Sequence, residues 1–138
     1  MRAVAVACAV VALGLPMSAW AELNMEPGLW EAIMTVGDNR MPPEQKCYLQ
    51  KDIDALDRFQ RGADPPANNP CSASGFRAIG NTMNYTLTCV INGRKSVSAV
   101  TMNYDAIRIT GEIAGIDGTV SRVLNTRIGD CSQSSFPN

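Results

Sequence analysis

The stretch TMNYTLTCVINGRKSVSAVTMNY, residues 82–104, decides the fold. Its first half alternates strictly: Met83, Tyr85, Leu87 and Cys89 fall on one side, Asn84, Thr86 and Thr88 on the other. A period of two describes a half-buried antiparallel strand, one face toward a core and one toward water. Asn92-Gly93 follows. That pair tolerates positive φ at both centres of a tight hairpin, so a return strand is expected over 95–104. A two-residue turn there sets Tyr85 opposite Val100 and Met83 opposite Met102, pairs that agree in character. Nearer the turn Leu87 meets Ser98, while Val97 and Ala99 point the other way. A bulge at 97–99 is expected to restore the apolar phase and bend the hairpin.

The pattern extends in both directions. Downstream, after a short reversal at Asp105-Ala106, Ile107, Ile109 and Ile113 alternate with Arg108, Thr110 and Glu112. Asp117-Gly118 makes the next turn, and a last strand over 119–128 puts Val120, Leu124 and Ile128 on one face with Arg122 and Thr126. An arginine in that company reads as a strand-end residue whose stem packs and whose head reaches water. Upstream, the Gly80-Asn81 turn folds 74–79 back onto 82–91. At the front, Pro27-Gly28 opens a strand whose Trp30, Ala32, Met34 and Val36 share one face, and 45–49 is a shorter strand. Between them and the β-rich half, Ile53, Leu56 and Phe59 recur at helical spacing. Asp52 and Asp54 stand near the start and Arg58 and Arg61 near the end, as the helix dipole favours. Residues 62–70 hold Pro65, Pro66, Pro70, Asn68 and Asn69 and read as a loop. The sum is a mainly β chain: an antiparallel meander of about six to seven strands with one short inserted helix, curved into an open sheet, a barrel or a sandwich.

The N-terminus carries Arg2, an apolar run over 3–15, Pro16, and Ser18-Ala19-Trp20-Ala21, which reads as a signal peptide over 1–21 cleaved after Ala21. The run is shorter than the ~20 apolar residues of a membrane anchor, so no integral anchor is expected after cleavage. Cleavage would leave 22–138 as a single domain in the periplasm or secreted medium. Cys8 leaves with the signal, and Cys47, Cys71, Cys89 and Cys131 remain, an even number for an oxidising compartment. Sequence alone allows three pairings of four cysteines. The Gly80-Asn81 turn brings Cys71 nearly opposite Cys89, which favours Cys71 with Cys89 and leaves Cys47 with Cys131. The formal net charge of −1 comes without a basic run. This argues against nucleic acid as a partner, which would need a basic stripe to displace counterions.

Pro27-Gly28-Leu29-Trp30-Glu31, Cys47 just before the helix, Leu87-Thr88-Cys89, and Arg127-Ile128-Gly129-Asp130-Cys131 occur in that order. Together they resemble the domain of unknown function 3617 family of small exported bacterial proteins. The chain departs from that family at Gln50-Lys51-Asp52, where a threonine-proline-glutamate helix start is frequent, and at Tyr104-Asp105, where the reversal lacks the usual glycine. The resemblance implies an extracytoplasmic location and brings no activity, cofactor or catalytic residue. Gly28-Leu29-Trp30 is also similar to the opening of lipocalin-like barrels, where the tryptophan closes the floor against an arginine from a late strand, a part open to Arg122 or Arg127. Residues 71–76 weakly resemble the inhibitory loops of periplasmic lysozyme inhibitors.

Enzyme readings start badly. The chain has no His to act as base or ligand, and paired cysteines cannot attack. Asp52, Asp54 and Asp57 read as solvated helix acids rather than a catalytic pair. There is no phosphate loop or nucleophile elbow, and the four cysteines lack CxxC spacing for zinc. Met25, Met34, Met41, Met83 and Met102 are spaced too irregularly for a copper site and read as adaptable apolar lining. The expectation is a non-enzymatic domain without cofactor or metal. It would bind a small apolar or amphipathic ligand in a concavity lined by Trp30, Met34, Met83, Tyr85 and Met102. The alternative is an interaction or inhibitor module acting on an envelope protein through residues 62–76.

Overall fold

A computed structural model describes residues 23–132. The reading of 1–21 as a signal, Cys8 included, falls outside the described residues. The chain forms β1 (Gly28–Val36), β2 (Asn39–Arg40), β3 (Glu44–Tyr48), α1 (Gln50–Gln60), β4 (Cys71–Ile79), β5 (Thr82–Ile91), β6 (Arg94–Asp105), β7 (Arg108–Gly115) and β8 (Val120–Gly129). The sequence pattern anticipates every element except the two-residue β2, which brings the count to eight strands.

All pairings are antiparallel, and β4 through β8 form a meander of consecutive hairpins. The last strand then pairs with the first, Met34 opposite Val123 and Trp30 opposite Arg127. β2 and β3 both pair with the far side of β1. The sheet therefore ends in β3 on one side and β4 on the other and does not close. The helix between them in sequence touches both. Only a curled sheet brings its two margins to one short helix.

The inner face carries the core. Trp30 (β1), Met83 (β5), Tyr104 (β6) and Ile109 (β7) pack with Ile53 of α1, while Leu23 and Met25 of the leading segment close the floor. Full burial of such side chains is worth roughly 1.5–3 kcal/mol each. The leading segment is held by Glu26 N–H donating to Ala106 O at 2.8 Å. α1 starts where the Asp52 carboxylate accepts the Leu49 N–H at 2.8 Å, so Asp52 supplies half of a capping box.

Two bulges interrupt the ladders, one in β4 and one between β1 and β8, and neither lies at 97–99. The β5–β6 register runs without a shift from Thr82 opposite Asn103 to Ile91 opposite Arg94. Val97 and Ala99 simply occupy the outer face, because the inner face near that turn is not core and imposes no apolar phase. One real bulge is in β4, where Gly75 and Phe76 together oppose Tyr85. Gly75 takes the left-handed conformation, φ 66°. The extra residue turns Phe76 inward against the core and Arg77 outward. The other falls where β1 meets β8, Leu29 opposite Gly129 but Trp30 opposite Arg127, leaving Ile128 unpaired.

Both disulfides fasten margin strands. Cys71 and Cys89 face each other across β4 and β5. Cys47 of β3 is joined to Cys131, just beyond the end of β8. These are the pairs that the Gly80-Asn81 turn favours. Among the described residues no helix is long and apolar enough to cross a membrane.

Candidate functional site: the open end of the inner face

The inner face is filled at one end and open at the other. At the filled end Trp30 has no exposed surface, and its indole N–H donates to Glu26 O at 3.0 Å. Arg127, opposite Trp30 in register, donates to Pro27 O at 2.9 Å and to Asp130 at 2.6 Å. A Cβ on Gly28 would lie 2.6 Å from both Arg127 Nε and Gly129 O, so the Pro-Gly-Leu-Trp motif needs its glycine for this approach. Arg127, not Arg122, is thus the late-strand arginine at the tryptophan. Arg122 lies on the outer face beside Glu112 at 3.7 Å.

Polar groups are threaded through the filled end. Gln60, 1% exposed, donates its amide to the Tyr104 hydroxyl. The Asn125 amide is bonded to the Tyr48 hydroxyl. Burial pushes the Tyr104, Tyr48 and Tyr85 phenols above their ordinary range, Tyr104 furthest. The Gln60 and Asn125 carbonyl oxygens have no partner among the described residues. Each such group carries a desolvation cost of about 1–3 kcal/mol. The spacing that groups Phe59 with Ile53 and Leu56 places the helix face correctly but misses that Gln60, not Phe59, takes the deepest position. Phe59 instead lines an outer groove of about 380 Å³ with Lys46, Tyr48, Leu56, Pro66 and Asn69.

The five apolar residues read as ligand lining separate along this gradient. Trp30 and Met83 are core. Met102, opposite Met83, lies half-buried over Gly111, where any side chain would collide with its thioether. Tyr85 is half-buried opposite Val100, and Met34 is 39% exposed on the far half of β1. None of the five lines a described cavity.

Beyond Val100 the inner positions become small and polar: Ser98 opposite Gly115, then Ser96 opposite Cys89. Ser96, Ser98 and Gly115 line, with Lys95, Val97, Ile113, Ile116 and Ser121, a cavity of about 410 Å³. The side chains are too short to meet across the curl, so the groove stays open. At its rim Asp117 accepts the Thr119 N–H at 2.9 Å, which holds its carboxyl below the usual range. Val90, Ile91 and Ile116 are exposed near this end, Ile116 at 83%. Sequence reasoning missed Ser96, Ser98 and Ser121. Their alternation with Val97 and Ala99 was the available signal, since a face that turns from Met and Tyr to Ser and Gly has left the core.

Helix carboxylates are engaged locally: Asp54 accepts from Gln50 at 2.9 Å, and Asp57 pairs with Arg61 at 3.0 Å. Among the described residues no three His, Cys, Asp or Glu gather as metal ligands would.

Fold and groove together define a class: a small, disulfide-tied, curled antiparallel β domain with a plugged floor and an open mouth. Within it, the chain belongs to the family described as Protein of unknown function (DUF3617), whose model matches residues 25–131. No curated protein and no solved structure matches the chain. Two disulfides fit a compartment that oxidises thiols.

Proposed function

We propose that this protein is an extracytoplasmic, non-catalytic binding domain that takes the apolar part of a small amphipathic molecule into the mouth of its curled sheet. The observation that carries this reading is the cavity of about 410 Å³ at the open end, where Ile113, Ile116 and Val97 meet Ser96, Ser98, Ser121 and Lys95. Such a size and mixture suits a ligand with an apolar body and few polar contacts. The site sits one end further along the sheet than Trp30 and Met83, whose places are taken by core. Catalysis has little support, since the acids of α1 are held by neighbours and no histidine is present.

Titration with the neutral dye N-phenyl-1-naphthylamine tests this. Saturable fluorescence enhancement at one dye per chain is expected, weakened tenfold or more by Ser98→Trp, which fills the mouth without touching the floor. Equal binding by the variant would refute the assignment. A second reading, a protein-interaction module, draws on the exposed 62–70 loop, which lends Pro66 and Asn69 to the groove beside α1. It predicts instead that Pro66→Ala and Asn69→Ala, not Ser98→Trp, remove function.

A further inference from the structure

The outer face of the sheet carries a second groove of different chemistry. Register puts Arg40, Thr35 and Arg122 side by side on β2, β1 and β8. The next outward row is Ile33, Leu124 and Thr110, and the row beyond it holds Arg108 opposite Thr126. Cross-strand neighbours share a face, so Arg40 and Arg122 stand about 10 Å apart over Thr35, and Arg108 lies about 13 Å along the strands from their level. All three arginines line one groove of about 410 Å³, with Ile33 and Leu124 as its floor.

Two features set this groove apart from a solvated strand surface. First, guanidinium groups gather there in a chain of net charge −1, and no carboxylate is among the lining residues. Around the rim, Asp105 stands opposite Arg108 and Glu31 opposite Thr126 in the Arg108 row, while Glu112 meets Arg122 only at 3.7 Å, with both side chains at least half exposed. An exposed pair of that geometry is weak and exchanges readily for another anion. Second, two aliphatic side chains occupy positions where alternation calls for polar ones, and both stay half-buried. Arginine stems cover apolar surface while their heads remain available. The planar head binds carboxylate or phosphate through two parallel hydrogen bonds.

We propose that this convex groove binds an amphipathic organic anion, its carboxylate or phosphate held by Arg40 and Arg122 and its apolar body laid over Ile33 and Leu124 toward Arg108. The site is separate from the mouth, on the opposite face of the same strands. A free amphiphile and a lipid headgroup share this chemistry.

The test is calorimetric titration of the full disulfide-bonded protein with dodecyl phosphate below its micelle concentration, with inorganic phosphate and dodecyltrimethylammonium as comparators. One dodecyl phosphate per chain is expected, with affinity falling at least tenfold in Arg40→Gln/Arg122→Gln and again in Ile33→Gln. Circular dichroism melts should show that both variants fold. Sedimentation with phosphatidylglycerol vesicles then assigns the source. Loss of co-sedimentation in the double variant points to a membrane headgroup, and binding of monomer without vesicles points to a free amphiphile; both support the groove. Unchanged affinity in the double variant overturns it, as does equal binding of the cationic amphiphile or of bare phosphate. Ser98→Trp should leave this titration unmoved, so failure here and failure of the mouth are read separately.

Discussion

The two ends of the inner face use the same alternating positions of the same strands, yet one is solid and the other hollow. At the Trp30 end, Trp30, Met83, Tyr104 and Ile109 from four strands pack with Ile53 into one buried cluster. At the Ser98 end, serine and glycine occupy equivalent positions and β6, β7 and β8 leave an open groove between their side chains. Curvature is common to both ends, so the filling decides where core stops: large side chains with Ile53 of α1 and Leu23 and Met25 of the leading segment at one end, serine and glycine at the other. A curled sheet of this size makes a site by withholding side-chain volume and covering elements at one end.

Breaking the fastenings gives the largest expected contrast. The Cys47–Cys131 bridge spans 84 residues and the Cys71–Cys89 bridge 18. Chain-entropy arithmetic puts the losses for paired Cys→Ala variants at about 4–5 and about 3 kcal/mol respectively, the first at the solid end and the second at the hollow one. Urea denaturation of the two double variants measures both, and a reversed order would show that native-state strain outweighs loop closure.

Next comes a comparison within one strand. Trp30→Ala should cost about 3–5 kcal/mol, as for other buried aromatics. Met34→Ala, on the same face four residues along, should cost below about 1 kcal/mol. Similar costs in thermal melts would mean that Met34 is packed in solution.

Tyr104→Phe sharpens the contrast least in energy, about 1–3 kcal/mol, by leaving the Gln60 amide without its partner. Its more telling readout is pH. The phenol is raised in the folded chain by burial, so below about pH 10 both states keep the proton and stability is insensitive to it. Above that, the unfolded chain loses its proton first and binds fewer, so stability falls as pH rises. Melting temperatures from pH 8 to 12 should decline in the native protein and decline less in Tyr104→Phe. Equal slopes would mean that Tyr104 is not the titrating group.

What the sequence made legible followed from burial. Wherever a face met the core, alternation gave strand, face and register, as for Met83 with Met102 and Tyr85 with Val100. It misled where burial ended: the mixed positions at 97–99 read as a bulge because an apolar phase was assumed where no core exists to enforce one. In β8 the inner residues are Ser121, Val123, Asn125 and Arg127, while Leu124 and Arg122 face out. The more apolar of its two faces is thus the outer one, and Arg122, read as a strand-end residue, sits third in the strand. Gln60 escaped because a polar residue at a deep helix position is explained only by its partner, Tyr104, 44 positions away. The mouth was hidden for a similar reason, since its lining is defined by smallness on three strands at once.

A fully hydrogen-bonded tube has its girth fixed by strand number and stagger. Here the ring is completed by α1, which spans the seam between β3 and β4 through side-chain contact alone. Dilating the ring therefore breaks no ladder bond. It asks that Ile53 and Leu56 slide over their neighbours and that Gln60 release Tyr104, while the sulfur bridges keep each lip from fraying.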